Sequence, residues 1–361
     1  LSEAGRLALM TILCKQFALC PRYDETMIPK TMEDISPKWL SEVLSCSVHS
    51  MRRGELAGGI AITSQLAAFH LESTKGPLSV VVKLRRPGWK MDALYEREVR
   101  FYKELACDLG ELVPLCYHIE SKDDTGDFVI LMEDLSAANP GHNLEGLTLQ
   151  QGLDVAYALG SYHGKMWQDE RAAHWPHKTF TAEDGQRLNE RFAKQWPLLV
   201  SQGKYEIPAG ILEIIPHIAI RLPQALQRMS QGAGTLIHSD VHAENLLLDG
   251  ERVIIIDWQN AAFANASIDL AGLILCCDNK VQKEHWQEVL TCWRNRVMNF
   301  AVEQSEAEQV IDTVPYAILW NFVGVSSWLA TFEAEKLRDG HTLQCHWRRL
   351  VSGLQTTFPM A

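Results

Sequence analysis

The chain has 361 residues, 47% hydrophobic and 22% charged, an ordinary globular composition with enough length for two units with cores of their own. Its formal charge of −11, from 34 basic against 45 acidic residues and without a basic run, excludes a nucleic-acid partner that needs a broad basic surface. No stretch approaches the run of about eighteen apolar residues that a membrane helix needs. Nine scattered cysteines without a CxxC pair favour reduced, mostly buried thiols and a cytosol-like, cytoplasmic compartment. The chain starts at Leu1, which leaves processing, truncation and removal of an organellar transit peptide all open.

In chain order, residues 4–20 read as an amphipathic helix, within an N-terminal extension of residues 1–35. The apolar run from Leu7 to Leu19 follows Arg6 and is interrupted by Lys15 and Gln16, too polar for a secretory signal. Residues 37–44 suit a short helix with Ser36 as its cap and Pro37 in its first position. Residues 54–72 alternate as a strand pair that includes Gly58 and Gly59, and the β-branched run in residues 78–84 makes a buried strand carrying Lys83. A lysine there costs free energy to desolvate unless a carboxylate compensates it. Residues 91–109 form a helix in which Leu94, Glu98, Phe101 and Leu105 share one face, so Glu98 is the acidic residue able to meet Lys83. Residues 113–119 and 128–132 complete an antiparallel sheet.

A polar stretch containing Gly and Pro follows Glu133-Asp134-Leu135 and runs to Gly146, where a boundary is expected. Beyond it helices dominate: residues 148–167, with Thr148 as cap, then 183–200, 208–230, 281–304 and 306–335. The predicted fold is α+β and bilobal. A small antiparallel-sheet N-lobe takes residues 36–134, and a larger, mainly helical C-lobe takes residues 135–361.

The densest chemistry lies in His238-Ser239-Asp240-Val241-His242-Ala243-Glu244-Asn245, followed by a hairpin around Asp249-Gly250 that ends in Val253-Ile254-Ile255-Ile256-Asp257. Each residue alone also fits a polar turn. The ordered set, with Asn245 five positions after Asp240, has the spacing of base and metal-binding amide in a kinase catalytic loop. Asp257 ends a strand where such enzymes keep their second magnesium ligand. Two carboxylates and an amide so arranged suit metal-bound phosphates held beside a hydroxyl.

These stretches, with residues 79–84, 95–105, 113–117, 128–135 and Ile256-Asp257-Trp258-Gln259 through Ser267-Ile268-Asp269-Leu270-Ala271, resemble the aminoglycoside phosphotransferase and choline kinase superfamily. The resemblance is nearest to its ecdysteroid-kinase-like (CHK-kinase-like) branch and spans most of residues 36–275 in the family's order. It implies a protein-kinase-like fold and ATP- and Mg2+-dependent phosphorylation of a hydroxyl on a small molecule, choline-like, sterol-like or another alcohol. By the same resemblance Asp240 orients the hydroxyl and takes its proton, Asn245 and Asp257 hold magnesium, and Lys83 contacts the α- and β-phosphates while held by Glu98. The adenine lies against backbone near Glu133 and Leu135, and Gly58 and Gly59 let a hairpin approach the phosphates.

Departures and neighbours carry their own expectations. Ser239 stands where the family usually has Gly, which bears on the loop's backbone torsion. His238 and His242 suit loop-ordering hydrogen bonds better than magnesium ligation. Asp269 reads as a helix cap, and His163 as a satisfied core histidine. Trp258-Gln259 after Asp257, with Asp269 twelve residues on, leaves little room for a protein kinase's activation loop. Two alternatives remain open: an aminoglycoside-type antibiotic kinase, and a catalytically silent kinase-fold subunit. The many tryptophans of the C-lobe suit core packing or an apolar acceptor pocket.

Overall fold

The computed structural model describes residues 28–358 apart from 55–63, 89–91, 123–124, 141–143, 251 and 332–339. The expected helix at residues 4–20, and Gly58 and Gly59, lie outside the described residues. The chain divides into two units, one running up to Pro140 and taking in Leu246–Asn260, the other comprising Gly141–Asn245 and Ala261–Ala361.

The first unit is a five-stranded antiparallel sheet with helices. Helix α1 (Pro37–Leu44) starts where Ser36 accepts the Trp39 amide at 3.2 Å and stops at Ser45, whose φ of 51° ends the helical run. Strands β1 (Val48–Gly54), β2 (Ser64–Ser73), β3 (Ser79–Arg85), β4 (Cys116–Lys122) and β5 (Asp127–Glu133) pair in the order β1-β2-β3-β5-β4. Alternation along β3 sends Val80, Val82 and Leu84 into a core with Trp39, Leu40 and Phe69, and leaves Lys83 on the opposite face. The first strand begins six residues earlier than the sequence suggests. As an edge strand with a mostly exposed burial pattern it shows no apolar alternation to read. Pairing of β4 starts at Cys116, after Pro114, which has no amide hydrogen to offer a ladder.

Helix α2 (Asp92–Glu104) buries Tyr95, Glu98, Phe101 and Tyr102. The single helix expected over residues 91–109 is broken at Leu105, whose φ of −122° turns the chain while its side chain stays buried, and α3 (Ala106–Leu109) follows. A short sheet closes this unit: Leu246–Asp249 pairs with Arg252–Ile255, and Asn139–Pro140 adds a third strand.

The second unit is mainly helical. Helix α4 (Leu149–Lys165) opens with a capping box between Thr148 and Gln151, and α5 (Ala182–Gln202) with one between Thr181 and Asp184. Then come α6 (Ala209–Met229), α7 (Ser267–Cys276), α8 (Trp286–Met298), α9 (Gln304–Thr331) and α10 (Gly340–Thr357). The stretch expected as one helix over 281–304 is a π-helical turn, Val281–His285, followed by α8. Gly164 lets α4 lie against the end of α8, since a Cβ there would stand 2.5 Å from the Phe300 ring. Among the described residues no helix is long and apolar enough to cross a membrane. The described cysteines other than Cys107 are free, in keeping with the reduced thiols expected for most of them.

Candidate active site

In the sheet unit, Lys83 is the meeting point of two carboxylates. Its Nζ lies 2.8 Å from Glu98 Oε1 and 2.8 Å from Asp257 Oδ1. The register that pairs Lys83 with Leu66 on one side and Ile130 on the other places it mid-sheet, and α2 presents Glu98 from its inward face. The Lys83–Glu98 contact matches the sequence expectation. The Lys83–Asp257 contact, across 174 positions of chain, does not come from any local pattern.

The three charges are unequally solvated. Lys83 and Glu98 are 8% and 2% exposed at the side chain, Asp257 31%. Burial by itself would pull the Lys83 ammonium down, but Asp257 and Glu98 together outweigh it and hold the group above the usual lysine range. Burial pushes the Glu98 carboxyl up, to about 6, against the pull of Lys83. One cation facing two carboxylates leaves a net negative charge, the field that a further cation would neutralise.

Asp257 is held from its far side as well. Its φ of 64° is left-handed, and Gln259 Nε2 donates to Oδ2 at 3.1 Å. The next residue, Trp258, donates Nε1–H to the Ile255 carbonyl at 2.9 Å and stacks flat on Phe101, centroids 4.2 Å apart at 4°. Phe101 lies one turn along α2 from Glu98, so the stack ties the backbone of Asp257 to the helix that carries Glu98. In the same unit, Glu133 is pinned to Leu115 twice, by its own amide to the Leu115 carbonyl at 2.8 Å and by its Oε2 from the Leu115 amide at 3.2 Å. The Leu135 carbonyl accepts from Ala138 at 2.9 Å, which closes a turn.

In the helical unit, the strand Thr235–Ile237 runs directly into the loop that carries Asp240. Its anchor is Asp269. Far from capping α7, this carboxylate is fully buried in the first turn of the helix, and its two oxygens accept the amides of His238 at 2.7 Å and Ser239 at 2.8 Å. Tyr162 adds a hydroxyl at 2.6 Å, and His163 Nε2 lies 3.3 Å away. Trp293 donates to His163 Nδ1 at 3.0 Å, so the hydrogen of this imidazole sits on Nε2 and points to Asp269. Burial would push the Asp269 carboxyl up, and the bonds from His163 and Tyr162 hold it below the usual carboxylate range instead. His163 is thus the satisfied core histidine expected, and Asp269 the loop-holding residue that sequence reasoning missed. The available signal was its setting, a carboxylate in a helix whose other residues are nearly all apolar.

Ser239 takes a φ of 66°, the torsion for which glycine is the default residue, and its buried Oγ has no hydrogen-bond partner among the described residues. Asp240 follows with its side chain 40% exposed, and His242 Nε2 lies 3.9 Å from its Oδ2. Asn245 Nδ2 donates to the Asp240 carbonyl at 3.0 Å, which turns the amide oxygen, an acceptor only, away from that bond. The Asn245 amide oxygen, taken by itself, is a donor of the kind a hard divalent cation such as magnesium takes, as is a partly exposed carboxylate. Among the described residues no three His, Cys, Asp or Glu side chains gather as a metal site. Gly58 and Gly59 lie among the undescribed residues.

The profile of the phosphotransferase enzyme family (APH) matches residues 61–291. The fold is similar to that of the spectinomycin phosphotransferase APH(9)-Ia, crystallised with ADP and spectinomycin, at TM-score 0.50 and 15% identity over 89% of this chain and 98% of that one. It is similar also to wild-type aminoglycoside 2'-phosphotransferase-IIIa in its GDP complex, at 0.51 and 14% over 96% and 98%. An aminoglycoside phosphotransferase from Alicyclobacillus acidocaldarius gives 0.51 and 14% over 94% and 96%. No curated protein matches the chain by sequence.

Proposed function

Because the chain belongs to the phosphotransferase enzyme family, matched over more than half its length, we propose that it transfers the γ-phosphoryl group of ATP to a hydroxyl of a small molecule, with magnesium. The observation that carries this reading is the buried ammonium of Lys83 clasped by Glu98 and Asp257. A structural lysine would be satisfied by one carboxylate. A second, partly exposed one costs repulsion against the first, and that cost has a use if phosphates and a metal ion complete the charge balance.

In this reading Lys83 orients the α- and β-phosphates, Glu98 fixes Lys83, and the backbone around Glu133 and Leu135 receives the adenine. Since the Glu133 amide is already bonded to Leu115, the donor to the base is assigned to Leu135. Gly58 and Gly59 are assigned to the phosphates. Asn245 and Asp257 would hold magnesium, which would supply positive charge to offset that of the phosphates. Asp240 accepts the hydroxyl proton as the acceptor oxygen bonds to the γ-phosphorus and the bond from that phosphorus to the β–γ bridging oxygen breaks. The acceptor is an alcohol of a class still to be found, and an aminoglycoside is one candidate that the solved relatives bring into the panel.

The test is a panel of hydroxyl metabolites and aminoglycosides scored for ATP consumption, with Mg-ATP thermal shift alongside. Asp240→Ala should reduce turnover by about 10²–10⁴-fold and leave the Mg-ATP shift nearly intact. No shift with Mg-ATP together with no turnover in the wild type would favour a catalytically silent subunit.

A further inference from the structure

The helix that supplies Asp269 also limits where the Asp240 loop can sit. Asp269, Gly272 and Cys276 recur at i, i+3 and i+7 and so share one face of α7. Asp269 receives the amides of His238 and Ser239, and the Cys276 thiol lies 3.8 Å from the Val241 carbonyl oxygen. Between them Gly272 presents no side chain. A Cβ built there would stand 2.5 Å from the Val241 carbonyl oxygen and 3.0 Å from the Val241 Cβ. The first of these is main chain, next in sequence to Asp240, so no rotamer change relieves the overlap. Glycine inside a helix is disfavoured by about 1 kcal/mol relative to alanine, so its presence here calls for a reason, and the close approach supplies one.

We propose that Gly272 is a positioning residue for the transfer. Its bare backbone is the seat on which Val241 rests, and that seat sets the height of Asp240 above α7. The proposal rests on the phosphotransferase reading for its catalytic consequence, while the seating of the loop stands on geometry alone. A methyl group at position 272 must lift the main chain beside Asp240 by roughly 1 Å to reach ordinary contact, a displacement of the size that costs about 10²-fold in rate when it falls on a reacting group.

The experiment compares Gly272→Ala with Gly353→Ala, whose methyl group would press instead on the Leu275 side chain of the same helix, at 2.7 Å. Two readouts are taken on the folded full chain: amide hydrogen exchange over residues 238–245, and kcat and KM for the best acceptor and for ATP. Gly272→Ala should speed exchange in that segment and lower kcat about a hundredfold, with KM for ATP held within about twofold. Gly353→Ala should do neither. Exchange unchanged by Gly272→Ala, or a kcat loss no greater than that of Gly353→Ala, overturns the proposal. Should Gly272→Ala not fold, Cys276→Ala removes the neighbouring contact without adding bulk and should speed exchange in the same segment; unchanged exchange there also overturns it. A wild type without transferase activity would sink the phosphotransferase reading, while the exchange data would still decide whether Gly272 seats the loop.

Discussion

The sheet unit and the helical unit solve one problem, holding a carboxylate in place, in opposite ways. In the sheet unit the carboxylates assigned to chemistry are their own scaffold: Glu98 and Asp257 both grip Lys83, and two of the three charges are buried. In the helical unit the tasks are separated. Asp269, fully buried, does the holding, and Asp240 is left 40% exposed. Both sites place a residue other than glycine in the left-handed region, Asp257 at φ 64° and Ser239 at φ 66°. The difference teaches that loss of a holding group should register first as lost stability in the sheet unit, and as a displaced loop in the helical unit.

Lys83→Met is the hardest blow to that contrast. It strands Glu98 as a buried, uncompensated charge and should cost about 3–5 kcal/mol in denaturant unfolding. Adding Glu98→Leu should recover most of that loss, because an apolar pair can replace a buried ion pair. If the double variant is no more stable than Lys83→Met, burial of the charge is not what makes the site costly to break.

A change of pH gives a smaller effect. Glu98, raised to about 6 from 4.5, holds its proton more tightly in the folded chain than in the unfolded one. That contributes stability fully present below pH 4.5 and lost as pH rises through about 6. Lys83, held above its ordinary 10.5, contributes stability present below that value and lost only above it, so it leaves this window alone. Unfolding free energies at pH 4.5 and roughly pH 7 should therefore differ less in Glu98→Gln than in the wild type; equal differences would remove Glu98 as the cause.

The smallest effect expected is a gain. Ser239→Gly relieves a left-handed torsion and deletes a buried hydroxyl without a partner among the described residues, and should stabilise the protein by about 1 kcal/mol. A loss of stability there would mean that the Ser239 hydroxyl makes a contact in solution that offsets the torsion.

Local patterns carried much of this into view. The β-branched run around Lys83 and the inward face of α2 told of the ion pair, because each is a periodicity confined to a few turns or residues. Ser36 and Thr148 read correctly as caps for the same reason. What stayed hidden depends on tertiary neighbours. The bond from Asp257 to Lys83 joins distant stretches of chain, and the role of Asp269 depends on amides brought to it by another segment. The breaks at Leu105 and at Val281–His285 are choices made by packing, which overrides a helical pattern that the sequence continues. Gly272 looks like any helical glycine until the Val241 carbonyl is placed against it.

The return of Leu246–Asn260 to the sheet unit has a consequence for the order of synthesis. A chain emerging from the ribosome presents all five strands of the large sheet, with Lys83 and Glu98, long before Asp257 exists to join them. The sheet unit is therefore finished only after the whole of the helical unit's first segment, Gly141–Asn245, has been made, and its last charged partner arrives on a hairpin added afterwards. A product ending before residue 257 would hold Lys83 with Glu98 alone, a paired and electrically quiet site, so the net negative charge of the clasp is acquired only when the Asp257 hairpin has been made.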